Sequence, residues 1–446
     1  MTAVRGARAT VGAPSSRPER SPAVGSLYRA VRSPYAAFCL WVVLGAALLQ
    51  LRWSTLFVSP RPEFWLLLVF ALVVFVTLAL ASRWMPPTSD RERVRIANVA
   101  GITVYFVAAY AASGGIPLVL ILRGAPYDIY SFGLPGLHVA ALSFTGYYGV
   151  RLFRALMLER TIGHLGMFGW VTALLLSMAS RSAVSFLAFS CLIVFVRARR
   201  MRFSGLVVAA GAVGVFLLAF GQFGNARLSF QVEQATGQQG SSSAIVNYAR
   251  ASSEFAGTGV PTVWLWPYLY LASPLANLNA AFEYADGGVC GQECDLAGLV
   301  FYELVPDTVG VPVAQALDVD AFDKNAFLVS PQLTASTTFG SAVGTAGLVG
   351  AVAVLAVLVL VGVGVTRAVR GSPLQEEAMA ILATLYFFSF FSNMLVYTAF
   401  SAQLIWVTIA AARSRRARDA RARAAARAER LEAVTTSGPR EGSPVR

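Results

Sequence analysis

Ten long apolar segments recur along the chain, at about residues 36–56, 64–82, 96–113, 135–153, 163–180, 182–197, 203–222, 341–366, 376–392 and 394–412. A hydrocarbon core about 30 Å thick takes roughly 20 mostly apolar residues per helix. The pattern therefore predicts an all-α polytopic integral membrane protein with about ten transmembrane helices. Composition agrees. The 446 residues are 56% hydrophobic and 13% charged, with a mean hydropathy of +0.61, against about 45–50% apolar and about 25% charged in soluble domains. So few charges cannot cover a water-facing surface, which argues against a soluble enzyme, a disordered regulator or a nucleic-acid protein.

A net charge of +13 and a pI near 10 acquire meaning only when mapped. Cytoplasmic segments of membrane proteins carry the excess of Lys and Arg. With ten spans and the N-terminus inside, 29 of the 36 basic residues fall on inner segments and seven on outer ones: Arg52, Arg61, Arg123, Arg181, Arg227, Arg250 and Lys324. Both termini are thus expected in the cytoplasm, with the chain in the cell membrane and the lipid bilayer as its first partner. Residues 1–33, rich in Arg, Ser and Pro, form an N-terminal tail without the small-residue site of a removable signal peptide. The helices then divide into 34–223, with seven spans, and 336–412, with three. Residues 413–446 make an Arg/Ala-rich, helix-prone tail suited to anionic head groups better than to nucleic acid.

Between the two sets of helices lies an outer loop, 224–335, too long for an ordinary connection and rich in aromatic residues. It holds eleven acids and three bases, a charge of −8 opposite in sign to the whole chain. Its segment from Trp264 to Asn279 is apolar, but Pro267 and Pro274 should break a helix there. A span at this point would also put the basic C-tail outside. We read it as an interfacial or re-entrant element, with Trp and Tyr at the membrane surface. Cys290 and Cys294 are close enough for a local disulfide in an oxidising compartment, with a free pair as the alternative. Neither a metal nor another cofactor is expected, because four Cys and two His offer no ligand cluster.

Arginine at membrane depth is costly and is a functional hypothesis wherever it occurs. Arg181 lies in the very short outer turn between spans five and six, Arg227 follows span seven, and Arg123 follows span three. Each can be a snorkelling interfacial residue, or a fork of donors for phosphate oxygens. Arg250 belongs to an expected helix, Ala244 to Phe255, where Glu254 stands four residues on and an ordinary ion pair is the plainer reading. Candidate bases for a hydroxyl proton are Asp128, His138 and Glu254, although a His at the start of a span more often bonds to nearby backbone. His164 falls at the inner end of span five. There is no phosphate-binding loop, zinc-protease pattern or dinucleotide fingerprint.

Several pieces resemble one family, the oligosaccharide repeat unit polymerases (Wzy-type O-antigen polymerases). They are Gly114-Gly-Ile-Pro-Leu118, Ser180-Arg-Ser182, the run from Tyr270 to Asn279, and Thr338-Phe-Gly-Ser341 leading to Gly347-Leu-Val-Gly350. With the span pattern and the late outer loop, the likeness covers roughly residues 36–410. The resemblance implies a membrane glycosyltransferase that polymerises polyprenyl-diphosphate-linked oligosaccharides into surface polysaccharide on the outer face. Arg123, Arg181, Arg227 and Arg250 would hold the diphosphate, Trp264, Trp266, Tyr270 and Asn277 would meet the glycan, and no metal is needed to stabilise the leaving group. A chain-length regulator and other glycan-assembly proteins are candidate partners. An O-antigen ligase shares this leaving group, and a flippase or exporter of lipid-linked glycans is the rival from another class, although no internal repeat points to a transporter.

Overall fold

A computed structural model describes residues 32–82, 94–123, 132–134, 136–198, 211, 214, 215, 218, 221, 222, 244–285 and 295–436. Among these the protein is all-α, and the one β feature is an isolated antiparallel bridge, Ser54 with Ala251. The first set of helices is α1 (Tyr35–Gln50), α2 (Pro62–Ala81), α3 (Ile96–Ala112), α4 (Pro117–Leu122), α5 (Leu137–Glu159), α6 (Ile162–Ser177) and α7 (Arg181–Ala198). The loop region contributes α8 (Ala244–Tyr248), α9 (Ser253–Gly257), α10 (Leu265–Tyr284) and α11 (Asp307–Ala316), with a π-helical run at Leu299–Leu304. The chain finishes with α12 (Thr337–Val369), α13 (Gln375–Phe388) and α14 (Thr398–Thr436). Nine of the ten expected apolar segments coincide with helices; most of the tenth, 203–222, lies outside the described residues.

Two helices, α2 and α12, are long and apolar enough to cross a membrane, while α1, α3, α6 and most of α7 are shorter apolar helices. In α2 the reason is visible on both faces. Phe64, Leu67, Leu68, Ala71 and Phe75 are buried, yet Leu66, Val69, Phe70 and Val73 on the opposite face are at least half exposed. A helix apolar all round has no face suited to water.

Hydrogen bonds sort the helix ends into two sets. At one end, Ser33 meets Ser82, Tyr35 meets Thr366, Arg32 donates to Val196 O, and Arg154 reaches Pro373 O. At the other, Tyr110 meets Ser177, Arg61 N donates to Asn279, and Thr338 N donates to Ser389 O. We call the first the tail end, since α14 carries the arginine-rich tail away from it, and the second the loop end. Of the residues expected inside, Arg32, Arg154, Arg197 and the 367–370 turn lie at the tail end. Between them the core is aromatic: Phe38 stacks on Phe75 at 4.1 Å, Trp41 on Phe390 at 5.0 Å, and Tyr386 donates to Leu358 O directly over Gly362.

Three expectations change. The segment Trp264–Asn279 is not broken by its prolines. Pro267 falls in the first turn of α10, where no amide hydrogen is needed, and Pro274 sits inside a helix with 14 of its 20 residues buried. Burial outweighs the lost hydrogen bond. Both halves of α10 nevertheless touch one connection: Trp53 N donates to Tyr268 Oη at 3.1 Å, and Arg61 N to Asn279 Oδ1 at 2.9 Å. Second, the expected helix from Ala244 to Phe255 is two short helices, α8 and α9, separated by Arg250 at φ 42°. Arg250 and Glu254 therefore do not share a helical face. Third, α12 kinks at Ala346 and Gly347, the latter at φ 58°, a conformation glycine adopts without strain. The ten buried residues from Thr337 to Ala346 form a separate first limb.

Candidate functional site at the loop end

The 51–61 connection and the α8–α9 corner are tied together. Thr55 N donates to Arg250 O at 3.0 Å, Ser252 N to Trp53 O at 3.1 Å, Ser54 Oγ to Ala249 O at 2.5 Å and Ser252 Oγ to Arg52 O at 2.7 Å. These bonds draw 249–252 out of the helix and account for the break at Arg250. They leave the side chains of Arg52 and Arg250 exposed. Glu254, also exposed, titrates below the ordinary glutamate range because its own backbone amide and the Ser252 hydroxyl hold its ionised form, with the Arg52 charge adding less. A carboxylate so held is a weaker base.

An aromatic row runs beside this corner. Tyr248 and Trp266 are 5.7 Å apart between ring centroids, and Trp266 and Tyr270 6.5 Å. Trp264 and Trp266 are half-buried and Tyr270 is 39% exposed. Asn277 has a different place. It is fully buried, donates to Leu333 O at 2.6 Å and to Ala335 O at 2.7 Å, and accepts from Val329 N at 2.8 Å. Its amide is committed to fastening residues 329–335 onto α10.

His138 is half-buried at the start of α5, with Tyr105 Oη 2.8 Å from Nδ1 and the Phe132 ring edge-on at 5.3 Å. This is the backbone-free version of a satisfied histidine. Arg123 is exposed just after α4. Arg181 opens α7, and its side chain lies outside what the structure describes. Asp128, Arg227, Cys290 and Cys294 lie outside the described residues altogether. The structure therefore joins Arg250, Glu254, Trp266 and Tyr270 around one corner, through Tyr248 and Ser252, and packs His138 against Tyr105 and Phe132 instead.

A second cluster was not singled out from sequence. Glu303, in the π-helical run, is 2% exposed, and its Oε1 lies 3.2 Å from Lys324 Nζ. Asn393 Nδ2 donates to Glu303 O at 2.7 Å and to Oε2 at 3.3 Å, while Thr338 Oγ1 donates to Asn393 Oδ1 at 3.3 Å. Four residues on, Asp307 Oδ1 accepts from the Thr398 amide at 3.2 Å and hydroxyl at 2.5 Å. These acids lash the loop to the turn between α13 and α14. From Leu304 and Pro306, next to this cluster, an open cavity of about 470 Å³ runs between α12 and α14, lined by Val361, Val365, Leu404 and Ile409 among others. Ser330, bonded to Tyr248 at 2.8 Å, is six residues from Lys324, so the two clusters share one loop and lie within about 20–25 Å of each other. Among the described residues no group of three or more His, Cys, Asp or Glu could hold a metal ion. No protein-family model, curated protein or solved structure matches this chain.

Proposed function

We propose that the protein is a ten-span glycosyltransferase of the cell membrane, with both termini cytoplasmic. It polymerises polyprenyl-diphosphate-linked oligosaccharide repeat units on the outer face. The observation that carries this reading is the chemistry gathered at the loop end: exposed arginines and an aromatic row share one loop with a buried carboxylate, and that carboxylate lies next to an apolar groove. A lipid diphosphate sugar has a matching anatomy. Arginines suit the diphosphate oxygens, aromatic faces suit sugar rings, and the groove suits a hydrocarbon tail. Stabilising charge on the leaving diphosphate is the main task of such a site, and Arg250, with Arg123, Arg181 and Arg227 from the sequence, supplies cations for it. Of the sequence-nominated bases, Glu254 is held ionised, while Asp128 and His138 retain their place.

The basic residues sorted to the tail end support the orientation, because cytoplasmic ends carry the positive charge. The test is deletion of the gene and gel analysis of surface glycan. Single-repeat products are the expected result; polymer left on its lipid carrier means a ligase, and loss of all outward glycan means an exporter. Single replacement of Arg181 or Arg227 by Ala should abolish long chains at normal protein levels, and normal polymer in both variants would sink the diphosphate assignment.

A further inference from the structure

Resting on that reading, we propose that Glu303 is the proton acceptor of the transfer step, and that Lys324 masks it until a diphosphate draws the ammonium away. Among the described residues Glu303 is the one acid at the loop end that is fully buried. It lies on a π-helical turn, a rare conformation found often at functional sites. Its two oxygens are treated differently. Asn393, a neutral donor, orients Oε2 without cancelling the charge. Oε1 faces only a cation on a flexible stem, and that cation is 49% exposed.

The identity of the cation matters. Lys324 is the single lysine among 36 basic residues, the other 35 being arginine. A guanidinium would fork onto the carboxylate with two parallel bonds and hold it. An ammonium makes one movable point contact. A diphosphate carries more charge than a carboxylate and reaches the solvent-exposed ammonium from outside. Binding of substrate would thus uncover the base, and an empty site would keep it paired.

The step balances without a redox partner. A lone pair of the acceptor hydroxyl attacks the donor's anomeric carbon as the bond from that carbon to the diphosphate oxygen breaks. That bond's electron pair leaves with the diphosphate, toward Lys324. The hydroxyl proton passes to Glu303 Oε1 and afterwards to solvent, and Lys324 returns to its place.

The test uses the full-length protein in proteoliposomes with lipid-linked repeat units as donor and acceptor, reading polymer on gels and melting temperature in detergent. Glu303→Gln keeps the side-chain shape and an oxygen for Asn393. It should slow polymerisation by about 100-fold or more, the usual scale for a lost general base. Glu303→Asp should restore part of the rate. Lys324→Arg keeps the charge and should slow transfer by roughly tenfold through a locked carboxylate. A Glu303→Gln protein with more than a third of the native rate overturns the proposal while leaving the polymerase reading intact. If that variant does not accumulate, Lys324→Arg decides, and native speed overturns the masking role. If the native protein makes no polymer from these substrates, the polymerase reading itself fails, and this proposal with it.

Discussion

Arg154 Nη1 lies 2.5 Å from Glu377 Oε2 at the tail end, with 8% and 4% of the two side chains exposed. Beside it Arg197 Nε pairs with Glu376 Oε2 at 2.8 Å. The two consecutive acids that open α13 thus take one arginine each from α5 and α7, which fixes where this 14-residue helix enters the bundle. Removing one partner strands a buried charge at a cost of about 3–5 kcal/mol. Arg154→Met should therefore melt at a markedly lower temperature in detergent, and adding Glu377→Gln should recover much of the loss. A single variant as stable as the native protein would show that the pair is not buried in solution.

Glycines along α12 separate close packing from mere flexibility. A methyl group at Gly350 would stand 2.1 Å from Ala342 O, whereas one at Gly364 meets nothing within 4 Å. Gly350→Ala should destabilise by about 1–3 kcal/mol, the scale of overpacking, because the obstacle is backbone at the kink. Gly364→Ala should be neutral or slightly stabilising, since alanine is the better helix former. Thermal melts of the two variants side by side provide the measurement.

Asn277 is expected to act through the loop it fastens. Asn277→Ala leaves the carbonyls of Leu333 and Ala335 and the amide of Val329 without their partner, at about 1–3 kcal/mol for each group left buried and unsatisfied. Limited proteolysis should then open the chain near 329–335 before any other described segment. Retained protection would mean that packing alone holds the loop.

Glu254 offers a pH reading of the α8–α9 corner. Its folded-state titration point is depressed. Its contribution to the corner is therefore present above the unfolded glutamate value and lost as pH falls through the folded one. Ser252→Ala, which removes one of the two main hydrogen bonds, should raise the midpoint toward the ordinary glutamate range in a carboxyl NMR titration. An unmoved midpoint would assign the shift to the backbone amide, with Ser253 and Arg52 as the smaller contributors.

Local rules located the helices well, because a long apolar run has few alternatives once it cannot face water. They failed where a distant partner offered a better bond. Residues 249–252 read as one turn of a helix, yet their backbone is claimed by residues 52–55, almost two hundred positions earlier in the chain. Pro274 read as a break, but burial of α10 on its neighbours overrides the local penalty. At the candidate site, Arg250, Trp266 and Tyr270 were legible as residue types suited to an anionic, sugar-bearing substrate. Glu303 was not, since it is one of eleven acids in the loop and nothing in its neighbours marks it.

By itself, the sequence determined the helical class, the sorting of basic residues into two sets, and the presence of one long acidic loop. Each of these depends on summed properties of many residues, such as apolar length and net charge, which survive ignorance of contacts. Tertiary structure alone decided which single side chains lose their water. Asn393 meets Glu303 across 90 positions, and Asn277 meets Leu333 across 56. Burial of one carboxylate is set by what packs over it, so no local pattern in the chain could announce it.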